Sequence, residues 1–189
     1  MTTPTEPAQD VVTVLQTDHR EFEELLARIF TTTQPSEKRD LTDMLISELV
    51  RHSVAEEMYV YPAMRKHLPD GEQAVEHDTQ EHKDLERSMK ELEAVEPTDA
   101  RFTELLTRLD EILRDHIEDE ERDQFPRLRA HIPHEDLVTM AQKVETAKKA
   151  APTRPHPAAP NNQLFHKLVG PGVGLVDRLR DKLTGRSTT

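Results

Sequence analysis

The sequence predicts an all-α protein: an antiparallel up-down four-helix bundle with a short fifth helix and a C-terminal amphipathic tail. Apolar residues recur at helical spacing over four long segments, and short polar breaks separate these segments. Aromatic residues make up only 4% of the 189 residues, and there are only five Gly. The core must therefore be built from aliphatic side chains, which suit helices better than sheets.

The first two helices are predicted from their apolar stripes and from the breaks that follow them. The second runs from about Glu37, with Ser36 as a favourable N-cap, to the region of His67, where "LPDGE" supplies turn residues. The first begins near Asp10 and ends before "TTTQPSEK", and its stripe consists of Val11, Val14, Leu15, Phe22, Leu25, Leu26 and Ile29.

Two further long helices and a shorter one complete the predicted bundle. We expect Thr98 or Asp99 to cap the fourth helix. Pro62 and Pro126 lie inside the second and fourth helices, where a missing N–H and a ring clash predict kinks. The third, fourth and fifth helices are expected at about 71–95, 100–131 and 134–149.

Four segments of different composition define the expected domain organisation. Residues 1–9 are polar and are expected to be disordered, residues 10–150 to form the bundle domain, and residues 151–163 to form a Pro/Ala linker. Residues 164–189 form a basic amphipathic tail, which we expect to dock on the bundle or to bind a partner protein. Asp177 and Asp181 weaken a third interpretation, contact with an anionic membrane. The apolar stripe of the tail consists of Leu175, Val176, Leu179 and Leu183.

The charge distribution excludes several functions for the bundle. The formal net charge is −12, and residues 1–142 hold sixteen Lys and Arg against thirty-four Asp and Glu. We therefore expect no nucleic-acid partner, since phosphate contacts need clustered positive charge. There is no Cys, which excludes thiolate sites. No signal peptide or transmembrane segment is visible, so a cytoplasmic location is expected.

An internal repeat carries the polar residues that matter most. The strings "HSVAEEMYVYPAMRKHLP" and "HIEDEERDQFPRLRAHIP" begin at His52 and His116, 64 residues apart. Upstream, "DHREFEEL" resembles "EHKDLERS" at an offset of 63. Each half therefore contains a His followed by a later His-x-x-x-Glu, which predicts two helical hairpins related by a pseudo-two-fold axis.

The spacing predicts that all four helices turn a His toward the core. Residues i and i+4 share a helix face, so each His-x-x-x-Glu places a His beside a Glu. The six inward groups are His19, His52, Glu56, His82, His116 and Glu120. Burying them unpaired costs several kcal/mol each. A salt-bridge network is one explanation, and a metal centre is the other. Imidazole and carboxylate ligands suit iron, manganese or zinc, and two carboxylates able to bridge favour two metals.

These motifs resemble the hemerythrin/HHE cation-binding family over residues 10–135. The resemblance implies a four-helix bundle around two non-haem iron ions, with manganese or zinc as the other metals that fit. It also implies terminal ligands and bridges, namely His19, His52, His82 and His116 as terminal ligands and Glu56 and Glu120 as bridges.

The sequence departs from the oxygen-carrying hemerythrins at two positions. Those proteins place a second His one turn before the third-helix ligand, whereas this chain has Asp78 there. They also bridge with an Asp five residues after the fourth-helix His, whereas Glu120 follows His116 by four, as in the bacterial HHE branch. We prefer Asp78 as the seventh ligand and His77 as a surface residue, because five residues from His82 is far around the helix.

The resemblance and Asp78 together indicate redox chemistry. A carboxylate ligand is a harder donor than imidazole and favours the ferric state. We therefore expect reaction with peroxide, O₂ or nitric oxide, and relatives in the family favour catalase-like disproportionation of peroxide. The alternatives are a non-enzymatic O₂ or iron carrier or sensor, and a protein whose metal only stabilises the bundle. A ferritin-like oxidase fits less well, since that class uses Glu-x-x-His pairs.

The sequence alone leaves open the roles of several residues near these motifs. Glu57 and Glu121 could accept from a ligand His or could be solvated charges. Tyr61 has Phe125 as its repeat partner, which favours packing over a redox role. The second His in each copy of the repeated string is His67 or His131. We expect both at helix C-termini, too far along the helices to join the site.

Overall fold

The computed structural model describes residues 9–151 of the chain. The predicted disordered segment 1–9, the Pro/Ala linker 151–163 and the basic tail 164–189 lie, apart from residues 9 and 151, outside this range. The domain boundaries predicted from composition therefore stay predictions.

The regular secondary structure between residues 9 and 151 is entirely helical, with no strand. Two of the long helices predicted from the sequence are each interrupted by a five-residue π-helical turn. The elements in chain order are α1 (Val11–Thr31), α2 (Pro35–Ala55), a first π-helical turn (Glu56–Val60), α3 (Tyr61–His67), α4 (Gly71–Glu93), α5 (Ala100–Asp119), a second π-helical turn (Glu120–Gln124), α6 (Phe125–His131) and α7 (His134–Ala150).

These elements form four antiparallel rods and an additional helix, which confirms the predicted fold class. Each rod is one helix of the bundle or two helices joined end to end by a π-helical turn. The first rod is α1, the second is α2 continued by α3, the third is α4, and the fourth is α5 continued by α6; short connections join consecutive rods. The additional helix, α7, packs against α1, α2 and the first π-helical turn. None of the helices within residues 9–151 is both long and apolar enough to cross a membrane.

The helix ends agree with the sequence in two places and differ in one. Asp10 caps α1, and Asp99 caps α5 by accepting a hydrogen bond from the Arg101 backbone N–H. The prediction of Ser36 as the cap of the second helix was wrong. Gln34 occupies that position and Pro35 begins α2, because a proline in the first turn loses no helical hydrogen bond.

A π-helical turn ends two residues before each proline for which a kink was predicted. Pro62 and Pro126 have no N–H, so the usual bond to the carbonyl four residues earlier cannot form. The preceding N–H groups instead bond five residues back, from Tyr61 to Glu56 and from Phe125 to Glu120. Such turns occur frequently at functional sites, and both of these begin at a Glu of the repeated motif.

The apolar core is divided into two clusters with a polar layer between them. One cluster lies around the C-terminal part of α1 and the N-terminal part of α2, and it includes Phe22, Leu45, Leu85, Phe102 and Leu109. The other lies at the opposite end and under α7, and it includes Val11, Leu15, Met64, Leu128 and Val144. The repeated His and Glu residues lie between the two clusters, where they are buried.

Asp10 connects the start of α1 to α6. Its carboxylate accepts hydrogen bonds from the Thr13 N–H at 2.8 Å and from the Arg129 guanidinium at 2.8 and 2.9 Å. The Arg129 hydrogen bonds, opposed by burial, lower the pKa of Asp10 to about 2. The carboxylate therefore contributes stability above the ordinary pKa of 3.8, and this contribution is lost as the pH falls toward 2.

We predict that Asp10→Ala lowers the free energy of unfolding by about 1–2 kcal/mol at pH 7, because it removes a cap and a paired carboxylate. Urea denaturation of the metal-free protein should show this difference shrinking between pH 4 and pH 2. Asp40→Ala is the matched control, since Asp40 is an exposed carboxylate near the start of α2. An equal loss of unfolding free energy at pH 2 and pH 7 would contradict the role of Asp10 as a paired, ionised carboxylate.

Candidate metal centre

Four helices each contribute one buried histidine to the polar layer. The exposed fractions of these residues range from 0% for His19 to 4% for His82. The first residues of the two π-helical turns, Glu56 and Glu120, lie between the histidines and are at most 1% exposed. The structure therefore brings together all six inward groups that the repeat predicted.

The first half of the repeat places Glu56 between two imidazoles. Glu56 Oε2 lies 3.3 Å from His52 Nε2 and 3.4 Å from His82 Nε2. The other ring nitrogens face outer carboxylates: His52 Nδ1 is 3.0 Å from Asp18, and His82 Nδ1 is 3.2 Å from Glu57. Both imidazoles are therefore held from two sides.

The second half repeats this arrangement around Glu120. Glu120 Oε2 lies 3.2 Å from His19 Nε2 and 3.7 Å from His116 Nε2. His19 Nδ1 is 2.8 Å from Glu121, and His116 Nδ1 is 2.8 Å from Glu81. The pseudo-two-fold symmetry of the sequence thus extends to the contacts of each imidazole.

One orientation is common to all four imidazoles. When Nδ1 carries the proton and donates to its carboxylate, Nε2 presents its lone pair to the centre. Metal-ligating histidines adopt this arrangement in proteins, since an outer acceptor fixes the tautomer and makes the imidazole a better donor. The ligand atoms of His52, Glu56, His116 and Glu120 all lie within 4.8 Å of one another, close enough to share a cation.

The inward-facing atoms fit a cation because they lack other partners. Seven of these buried atoms make no hydrogen bond to any residue between 9 and 151: His19 Nε2, His52 Nε2, His116 Nε2, Glu56 Oε1 and Oε2, Glu120 Oε2 and Asp78 Oδ2. Unsatisfied buried groups are costly and rare in proteins. Burial and the adjacent Glu120 carboxylate raise the pKa of Glu56 well above its ordinary value. Bound cations would stabilise both carboxylates in their ionised form.

Asp78 lies at the edge of this centre. Its side chain is fully buried, and its Oδ1 accepts a 2.7 Å hydrogen bond from Gln124 of the second π-helical turn. Burial, with a further contribution from the Glu120 carboxylate, raises the pKa of Asp78 to about 6. His77 lies on the surface, where its side chain is 58% exposed and contacts Glu81 and Asp119.

The two halves differ at the aromatic residue that precedes each proline. Phe125 stacks on His19 with the ring planes 12° apart. Its counterpart Tyr61 packs on His82, and its hydroxyl lies 3.0 Å from His82 Nε2. Burial and nearby carboxylates raise the pKa of Tyr61 well above its ordinary value, so the phenol keeps its proton. The packing expected for Tyr61 is present, together with a hydroxyl that reaches the centre.

The sequence interpretation missed several residues of the layer. Asp18 and Glu81, which contact the second His of each half, precede His19 and His82 in both copies of the repeat. That repeated acid–His pair was the signal that could have identified them. Glu57 and Glu121, left open above, do contact imidazoles, while His67 and His131 end α3 and α6 away from the layer.

Comparisons with known proteins agree with this geometry. The sequence model of one protein family, the hemerythrin HHE cation-binding domain, matches residues 10–128. An uncharacterized hemerythrin-like protein of Schizosaccharomyces pombe is 32% identical over 167 residues, which are 88% of this chain and 82% of that protein. A crystal structure of a hemerythrin HHE cation-binding domain-containing protein from Mycobacterium kansasii aligns with a TM-score of 0.66 at 20% identity, over 75% of this chain and 86% of that one.

A DNA nickase from a Nostoc species is more distantly similar. It is 24% identical over 135 residues, which cover 71% of this chain but only 38% of the nickase. The family match by contrast includes all six residues of the repeated motif and most of the described bundle. The chain belongs to the hemerythrin HHE cation-binding family.

Proposed function

We propose that the polar layer holds two non-haem iron ions. The proposal rests on the inward-facing nitrogen and oxygen atoms that have no other partner in residues 9–151. The donors are imidazoles and carboxylates, which suit iron and also fit manganese or zinc. The proposed terminal ligands are His19, His52, His82 and His116, the proposed bridges are Glu56 and Glu120, and the proposed seventh ligand is Asp78.

We propose further that this centre reacts with hydrogen peroxide, O₂ or nitric oxide, with catalase-like disproportionation of peroxide favoured. The observation that carries this proposal is the buried Asp78. Its Oδ2 has no hydrogen-bond partner among residues 9–151 and adds a third carboxylate to the two proposed bridges. Outer carboxylates on all four imidazoles add to the negative charge. Anionic donors favour the oxidised metal, and the iron pair would supply electron transfer to and from peroxide.

The protein residues around the centre select small ligands and hold a proton. The two apolar clusters close the layer from both ends, which favours peroxide or a diatomic molecule over larger substrates. On the His82 side, Tyr61 provides a protonated hydroxyl, whereas Phe125 offers only an apolar ring on the His19 side. A ligand bound near His82 would therefore find a hydrogen-bond donor that the other side lacks.

The nickase activity named for the Nostoc protein is not proposed for this chain. The similarity covers only 38% of the nickase. Residues 1–142 carry a net charge of −18, which opposes contact with a phosphate backbone.

We predict that the iron-loaded chain contains about two irons and releases O₂ from hydrogen peroxide, measured with an oxygen electrode and by metal analysis. Asp78→Ala should lower this rate about ten-fold or more, because it removes an anionic donor. His77→Ala tests the neighbouring His and should retain both irons. A stable O₂ adduct that returns to the ferrous protein, without O₂ release from peroxide, would contradict the enzyme and favour a carrier or sensor.

The outer carboxylates give a second prediction. Glu81→Gln preserves the shape of the side chain but removes the charge beside His116 Nδ1. We expect the affinity for one of the two metals to fall by about 10- to 100-fold, measured by competition with a chelator. Asp84→Asn is the matched control one turn away, where the carboxylate contacts the exposed Arg87 and Gln80. Equal affinities for Glu81→Gln and the control would show that Glu81 does not support the centre.

A further inference from the structure

Helix α7 reaches the metal centre from outside the four rods. Lys148 Nζ lies 2.6 Å from Asp18 Oδ1, and the other oxygen of Asp18 lies 3.0 Å from His52 Nδ1. His52 Nε2 in turn lies 3.3 Å from Glu56. A continuous line of contacts therefore runs from the last turn of α7 to the centre.

The contact between Lys148 and Asp18 is largely shielded from water. The Lys148 side chain is 16% exposed and the Asp18 side chain 8%. Burial opposes the charge on Lys148, but the attraction of the Asp18 carboxylate outweighs this effect and raises the pKa of Lys148. Lys148 therefore keeps its positive charge, and the low dielectric of its surroundings strengthens the effect of that charge on His52.

The second half of the repeat has a different partner at the equivalent position. Glu81, the outer carboxylate of His116, faces the imidazole of His77, which is 58% exposed. No helix equivalent to α7 covers this side within residues 9–151. The two halves therefore place different side chains behind the outer carboxylates of their second histidines, Lys148 in one half and His77 in the other.

We propose that Lys148 is a positioning residue for His52 that raises the reduction potential of the metal held there, so that the two metals are unequal. The ammonium withdraws negative charge from Asp18, which makes His52 a weaker donor and favours the reduced metal. Lys148 lies beyond residue 128, where the family match ends, so this contact belongs to an additional helix. The inference rests on the redox-active metal pair proposed above, but not on its reaction with peroxide.

Spectroelectrochemical titration of the full-length, iron-loaded protein tests this role. In Lys148→Met, one of the two reduction steps should shift to a more negative potential while the other stays in place. Lys148→Arg keeps the charge and should restore the native potentials. Lys149→Met is the matched control, since Lys149 is exposed on the same turn and should leave both potentials unchanged.

A double-mutant cycle separates tuning through Asp18 from a purely structural role. In an Asp18→Asn background, Lys148→Met should shift the potential much less than in the native chain. A Lys148→Met protein with a lower melting temperature but unchanged potentials would overturn the proposal, as would a shift of equal size in both backgrounds. If Lys148→Met does not fold, Lys148→Gln can still hydrogen-bond Asp18 without charge, and unchanged potentials there would also overturn it.

The proposed role of Lys148 and the proposed reaction with peroxide can be tested independently of each other. If the native iron-loaded chain releases no O₂ from peroxide, the catalase-like activity is wrong, whereas a shift caused by Lys148→Met would still support the role of Lys148. If the chain is active but Lys148→Met keeps both potentials, only the role of Lys148 is wrong.

Discussion

The burial of a charged layer inside an apolar bundle is the constraint on which the rest of the structure depends. Four imidazoles and two carboxylates lie between two apolar clusters, where unpaired polar groups cost several kcal/mol each. Outer carboxylates satisfy the Nδ1 side of every imidazole. The Nε2 atoms of His19, His52 and His116 and the Oε2 atoms of Glu56 and Glu120, by contrast, have no hydrogen-bond partner among residues 9–151. The proposed pair of cations would satisfy these atoms at once.

The π-helical turns explain how one short motif supplies both the inner and the outer carboxylates. Each turn begins with two consecutive Glu, and these contact opposite nitrogens of the same imidazole across the bundle. Glu56 and Glu57 hold His82 at 3.4 and 3.2 Å, and Glu120 and Glu121 hold His19 at 3.2 and 2.8 Å. The proline that follows each turn lacks the N–H with which a regular α-helix would bond to a carbonyl inside the turn. A backbone irregularity and a chemical requirement therefore occur at the same residues.

The helical class, the bundle and the inward-facing His and Glu could be predicted from the sequence, because they depend on periodicities that a single helix already displays. The outer contacts could not, since Asp18 and His52 meet only through the register between two helices. Lys148 was missed for the same reason, because the apolar residues of α7 do not show how that helix packs against α1, where Asp18 lies. Asp78 was identified by resemblance, and its role as a ligand stays a prediction. Tyr61 was predicted to pack, but its hydroxyl contact depends on the position of His82.

The most direct test of the central claim is anomalous diffraction at the iron edge from crystals of the iron-loaded protein. Two peaks about 3.5–4 Å apart, between Glu56 and Glu120, are predicted for a two-metal centre. A single peak in the layer would contradict the pair of bridging carboxylates. Anomalous density only at the exposed group of His77, Glu81 and Asp119 would contradict the buried centre altogether.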